Sequence, residues 1–141
     1  MASPDRLVVD SSAVMACCLG EIGFEKLEKL LTGHAQLLMS APTRLELGIV
    51  SLNRNIQRQV DEAIESYQIL VEPFTHAQAE LAIQAFTKYG KGRHPAALNF
   101  GDCCAYALAK ALNLPLLYKG NDFAQTDIAS ALASHLASPF A

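Results

Sequence analysis

Long hydrophobic runs are missing from this 141-residue chain: the longest, Ala13 to Leu19 and Cys103 to Ala109, fall far short of the roughly 20 residues a membrane-spanning helix needs. A basic segment followed by an apolar stretch is missing from Met1 to Arg6, so a secretory leader is not expected and a cytoplasmic setting is. The C-x-x-C spacing is missing too. The four cysteines form two adjacent pairs, Cys17-Cys18 and Cys103-Cys104, which suits neither a zinc site nor a disulfide framework. They read as small core residues, with a reactive thiol at Cys103 or Cys104 as the alternative. No internal repeat, linker or low-complexity segment interrupts the sequence.

Charge is also scarce. Charged residues make up 18% of the chain against 51% hydrophobic, a balance that excludes intrinsic disorder and predicts a substantial core in one domain over residues 1–141. With 11 Lys and Arg against 14 Asp and Glu, the net charge of −3 argues against a protein that holds nucleic acid through broad positive charge. A metal-dependent nuclease stays open, because four carboxylates neutralised by divalent cations would leave the basic residues in slight excess.

What is present is an alternation. Apolar runs at Leu7–Val9, Gln36–Met39, Ile69–Val71 and Leu114–Tyr118 read as strands. Between them come helical patterns: one from Asp10-Ser11-Ser12 to a stop at Gly20, then Glu21–Leu31, Thr43–Leu52, Gln57–Tyr67, a long helix ending at Gly90, and Gly101–Leu112. Lys91 to Asn99 reads as a loop, and the tail from Ala129 to Ala141 is small-residue-rich and ambiguous. Short strands alternating with helices predict an α/β fold, a three-layer α/β/α sandwich around a mostly parallel central sheet.

Ligands of open α/β sheets gather outside the carboxyl ends of the strands. Asp10 directly follows the first strand, and Asp122 follows the fourth after Lys119-Gly120-Asn121. Glu46 and Asp102 fall in predicted first turns of helices, each three residues before an apolar position, Ile49 and Ala105, so both carboxylates are expected on the core side. Each acid has a structural alternative. Asp10 and Asp122 suit helix N-caps, Thr43 to Glu46 fits the T-x-x-E capping box, and Asp102 suits the positive end of its helix.

The set says more than its members. Converging carboxylates repel one another unless they share Mg²⁺ or Mn²⁺, and oxygen donors without histidine or cysteine favour those hard ions over zinc. Phosphoryl transfer with a metal-activated water is the chemistry such a site suits.

Four stretches, Leu7 to Ala13 (LVVDSSA), Ser40 to Val50 (SAPTRLELGIV), Leu98 to Ala109 (LNFGDCCAYALA) and Leu116 to Ile128 (LLYKGNDFAQTDI), make the chain resemble PIN-domain proteins, specifically the VapC-type toxin ribonucleases of bacterial type II toxin–antitoxin pairs. The resemblance covers nearly the whole chain. It implies a catalytic quartet of Asp10, Glu46, Asp102 and Asp122, with Asp10 and Asp102 as principal ligands of Mg²⁺ or Mn²⁺. Glu46 and Asp122 would complete the pocket, and Asp127 is a second choice for the fourth acid. Asn121 stands where some relatives carry another carboxylate, Ser11 replaces a threonine, and the hydroxyl of Ser12 is retained to bond a metal ligand or its water. The family implies single-strand RNA cleavage, a cognate VapB-like antitoxin and a homodimer.

No acid occurs from Leu81 to Gly101, whereas Lys88, Lys91, Arg93 and His94 cluster just upstream of Asp102. Lys91 and Arg93 are therefore candidate contacts to RNA phosphates, with a solvated loop as the alternative. Tyr89, Phe100 and Tyr106 are candidate base-stacking surfaces, although aromatics at helical spacing are ordinarily core. Two other functions remain open: a phosphohydrolase with Asp10 as nucleophile, in which Ser12 stands where a second acid is expected, and a non-enzymatic metal-binding interaction module.

Overall fold

The computed structural model describes residues 5–136. The order of elements is β1 (Arg6–Val9), α1 (Ser11–Leu19), α2 (Phe24–Leu31), β2 (Gln36–Ser40), α3 (Ala41–Asn53), α4 (Gln57–Ser66), β3 (Leu70–Glu72), α5 (His76–Tyr89), α6 (Phe100–Leu112) and β4 (Leu116–Leu117), then a 3₁₀ turn over Phe123–Gln125 and α7 (Ala131–Leu136). All strand pairs are parallel, in the order β3-β2-β1-β4, with Val8 opposite Leu38 and Leu116. That is the expected α/β/α sandwich.

Alternation along the strands builds the two faces. Leu7, Val9, Leu37, Met39 and Leu117 turn to one side, where Val14, Leu27, Leu30, Leu31, Leu47 and Val60 of α1 to α4 meet them. Val8, Leu38 and Leu116 turn to the other, against Ala85 and Tyr89 of α5 and Cys103, Ala105, Leu108 and Ala109 of α6. The central stretches Leu7–Val9, Leu37–Met39 and Leu116–Leu117 are buried on both faces and so read as continuous apolar runs, whereas the edge strand β3 leaves Leu70 and Val71 48% and 43% exposed.

The element ends show where the backbone overrides pattern. The helix α3 starts two residues earlier than expected, with Pro42 in its first turn, so Glu46 stands in the second turn. Its N-cap is Ser40, and the T-x-x-E capping box does not form: Thr43 is fully buried and its hydroxyl has no partner among the described residues. The buried stripe of α3 is Thr43, Leu47 and Ser51, while Ile49 is 51% exposed, which corrects the placement of Glu46 on an Ile49 stripe.

Strand β4 shrinks to two paired residues. Asn113 adopts a left-handed φ of 53° and Leu114 N–H bonds back to Ala109 C=O, closing α6. Pro115 then has no N–H to offer. Strand β3 begins one residue late, because Gln68 takes a left-handed φ of 56° and Ile69 N–H is spent on Ile64 C=O. Gly90 does not close α5 in the left-handed form but lies extended and bridges to Leu98. Of the ambiguous tail, Ala131–Leu136 is helical, and residues 137–141 lie outside the described residues.

Candidate active site

Parallel strands put the end of β1, the end of β2 and the segment after β4 on one edge of the sheet. The helix α6 leads directly into β4 and so runs against the strands, which brings its N-terminus to that same edge. Four acids from four chain segments are gathered there by connectivity alone.

Asp10 is 4% exposed and caps α1, its Oδ2 accepting from Ser12 N–H at 3.1 Å. Asp102 forms a capping box with Asn99: Asp102 Oδ2 accepts from Asn99 N–H at 3.0 Å, and Asn99 Oδ1 accepts from Asp102 N–H at 2.9 Å. Glu46 Oε1 accepts from the Ser11 hydroxyl at 2.9 Å. Its carboxylate lies against the backbone of Gly101, where a Cβ would come 2.7 Å from Glu46 Cδ and 2.9 Å from Oε1. Asp10 and Asp102 thus each have one oxygen fixed by a backbone donor and the other without a hydrogen-bond partner among the described residues, whereas Glu46 is held between Ser11 and Gly101.

Electrostatics ties the acids together. Burial pushes the Asp10 carboxyl up to about 6; the bonds from Ser12 pull it down, and the charges of Asp102 and Glu46 push it further up. Asp102 is also raised, by burial first, against the Asn99 amide and with the charges of Asp122 and Glu46. Asp122 is exposed, makes no cap bond, and bears on Asp102 from the loop after β4. Structural capping and convergence therefore coexist at Asp10 and Asp102.

The remaining expected residues sort by geometry. Ser12 Oγ accepts from Lys119 N–H at 3.0 Å, stapling the start of α1 to the segment after β4. Asn121 is exposed, and its carbonyl accepts from Gln125 Nε2 at 3.5 Å. Asp127 is turned elsewhere: Tyr106 O–H donates to it at 2.5 Å and Lys110 Nζ at 2.8 Å. Lys91 and Arg93 are exposed, and the Arg93 guanidinium sits over the Phe86 ring at 5.9 Å. Cys103 and Cys104 are buried, and burial pushes the Cys103 thiol up to about 11 and raises Cys104 too, which makes both poor nucleophiles.

Two residues escaped the sequence reading. Ser11 aims Glu46, and its only signal was its place between Asp10 and Ser12. Gly101 admits the Glu46 carboxylate beside Asp102, and its signal was a glycine in the first turn of a helix.

The donor set fits a hard divalent cation. The candidate donors are all carboxylate oxygens, and none of the four acids is paired with Lys, Arg or His among the described residues. Ser40 Oγ, two residues beyond Leu38 as Asp10 is beyond Val8, shares the Asp10 face of the sheet and is buried without a partner among the described residues. Among those residues no three His, Cys, Asp or Glu side chains stand in a closed ligand geometry, so ion uptake requires the free carboxylate oxygens to draw together.

A parallel α/β/α domain with strand-end and helix-start acids along one edge of its sheet is the architecture of a PIN-type domain. The PIN domain model matches residues 7–129, and the chain belongs to that family, in its VapC branch. Ribonuclease VapC42 of Mycobacterium tuberculosis is 42% identical over 126 residues, covering 86% of this chain and 96% of that protein. Ribonuclease VapC28 of the same organism is 42% identical over 130 residues, covering 89% and 98%. The crystal structure of M. tuberculosis VapC20, described as a sarcin-ricin loop cleaving toxin, superposes with a TM-score of 0.70 at 17% identity over 87% of this chain and 96% of that one.

Proposed function

We propose that the chain is a Mg²⁺- or Mn²⁺-dependent endoribonuclease and the toxin of a type II toxin–antitoxin pair. The observation that carries the reading is that the Glu46 carboxylate accepts from Ser11, next to Asp10, and lies against Gly101, next to Asp102, so that acids from three separate segments meet. The ribonuclease names of relatives at 42% identity support it.

Asp10 and Asp102 would hold the ion, and Asp122 would extend the acidic wall from the loop after β4. When bound, the cation supplies Lewis-acid charge that activates a water and offsets negative charge on the phosphate. Glu46, with Oε1 held by Ser11, presents Oε2 to take the proton that the attacking water gives up. Burial of Asp10 and Ser40 keeps bulk water from the back wall of the pocket. Lys91 and Arg93 draw in the phosphates of single-stranded RNA.

A VapB-like antitoxin is the expected partner, supported by fold neighbours that include a toxin–antitoxin complex from Klebsiella pneumoniae with a TM-score of 0.65 and 16% identity. A homodimer is expected as well, since α3 leaves Leu45, Ile49 and Leu52 exposed at 65%, 51% and 60%. No described helix is long and apolar enough to cross a membrane. RNA as substrate puts the work in the cytoplasm.

Asp10→Asn and Asp102→Asn test the reading. Both are expected to abolish RNA cleavage and growth arrest and to remove manganese uptake in calorimetry, with the far-UV circular dichroism unchanged. Full activity in either variant overturns the assignment.

A further inference from the structure

Of the three aromatics that flank the acid-free segment, Tyr89 and Tyr106 are each 6% exposed and belong to the core, whereas Phe100 is 81% exposed. A phenylalanine this bare at the first position of a helix does nothing for folding, since its ring buries little apolar surface. It stands directly before Gly101 and Asp102, so its ring shares the helix turn against which the Glu46 carboxylate lies.

Phe100 also forms the rim of an open cleft of about 450 Å³ between α5 and α6, within the roughly 300–1,000 Å³ usual for small-molecule sites. Phe74, Ile83 and Phe86 line its walls, and Cys103 and Cys104 its floor. Ile83 and Phe86 are themselves 59% and 39% exposed, so the cleft is apolar and uncovered. One cation stands at its wall and the carboxylates of Asp102 and Glu46 lie beyond its floor. Arg93 lies over the Phe86 ring, and no acid occurs between Leu81 and Gly101. An apolar slot with a ring at its mouth, the Arg93 guanidinium on its wall and the carboxylate of Asp102 two positions along the helix matches a polyanion that carries flat aromatic groups.

We propose that this cleft takes an unpaired base of the RNA next to the scissile phosphate, stacked on Phe100, so that Phe100 is a substrate-positioning residue. The proposal rests on the ribonuclease reading. Stacking on one aromatic side chain is worth about 5- to 150-fold in affinity by alanine substitution, and it tolerates any base because each has a π-face. The base, held there, sets which phosphate reaches the carboxylates.

The chain contains no tryptophan, so Phe100→Trp puts a single indole reporter at the cleft rim. Titrating that variant with a short unstructured single-stranded RNA, in EDTA to prevent turnover, is expected to quench and shift its emission. Phe100→Ala is expected to bind the same RNA about ten-fold more weakly and to raise KM more than it lowers kcat, while Phe100→Trp keeps wild-type affinity. Thermal melting of both variants should match wild type, because the ring is exposed.

Unchanged RNA affinity in Phe100→Ala together with a silent indole overturns the proposal while wild-type cleavage in manganese leaves the nuclease standing. A change in sedimentation behaviour with unchanged RNA affinity also overturns it, by assigning the cleft to a second copy of the chain. Absence of both RNA binding and cleavage in the wild type overturns the two readings together.

Discussion

The carboxylate of Glu46 fills the space that a side chain at Gly101 would need, so that two residues 55 positions apart in sequence are locked by the lack of a single methyl group. Gly101→Ala should therefore separate stability from activity. The atoms displaced are the far end of a flexible side chain, and alanine favours a helix over glycine by about 0.5–1 kcal/mol, so the melting temperature is expected to hold or rise. Cleavage is expected to fall at least about ten-fold, because Glu46 swings away from Asp10 and Asp102. Ser11→Ala should lower cleavage through the same carboxylate, with Ser11→Thr restoring it. Melting curves beside kcat/KM for the three variants check this, and wild-type kcat/KM in Gly101→Ala would remove Glu46 from the site.

The buried carboxyl of Asp10 fixes a pH dependence. Its folded value of about 6 lies above the unfolded 3.8, so the unfolded chain gives up this proton first as pH rises. Its contribution is fully present below 3.8 and is lost as pH climbs toward about 6, at most about 3 kcal/mol at 1.36 kcal/mol per unit. Asp102, also raised, acts in the same direction. Asp127 is lowered, so its contribution is present above 3.8 and fades only at more acid pH, outside this window. Metal-free protein should then melt higher near pH 5 than near pH 7, and Asp10→Asn should flatten the difference. Manganese should reverse the order by stabilising most near pH 7, where protons no longer compete for the carboxylates. Thermal melts in EDTA and in manganese at the two pH values decide it.

The strands, the layer order and the acids at the sheet edge were legible in the sequence because all three follow from period and connectivity. Leu7 to Val9 cannot be anything but a buried strand, and whatever follows it in a parallel sheet must emerge at the ligand edge. The reasoning that led to Glu46 does not hold. The Ile49 stripe that pointed to it is solvent-exposed, and what holds Glu46 is a contact with Ser11 and Gly101 that no local periodicity encodes. The late β3 was not legible, since it depends on a left-handed turn at Gln68, a residue that rarely takes this backbone; the left-handed Asn113 that shortens β4 is a more ordinary helix stop, and Asn tolerates it well.

The exposed cations Lys91 and Arg93 carry a salt signature. Each phosphate neutralised on a single strand contributes about −0.7 to the slope of log affinity against log salt. Replacing both with alanine should shallow the slope by about 1.4 and weaken binding at low salt, with little change near 1 M. Fluorescence anisotropy of a labelled single-stranded RNA across a salt series measures this directly. An identical slope in the double variant would make the segment a solvated loop, and the Arg93–Phe86 contact a purely structural one.

Two acids after β4 competed for the fourth place in the pocket, and their surroundings predict opposite phenotypes. Asp127 receives Tyr106 O–H at 2.5 Å and Lys110 Nζ at 2.8 Å, tying the segment after the 3₁₀ turn to α6. Asp127→Asn weakens both bonds and should cost about 1 kcal/mol of stability, visible as a lower denaturation midpoint, with kcat unchanged. Asp122 makes no cap bond, and its charge bears on Asp102. Asp122→Asn should leave the midpoint where it is, or raise it slightly by relieving repulsion, and should lower cleavage and manganese affinity. The crossed comparison is decisive because each variant is the control for the other. If Asp127→Asn loses cleavage at unchanged stability while Asp122→Asn keeps it, the fourth carboxylate is Asp127, and the Tyr106 and Lys110 bonds must open when substrate binds.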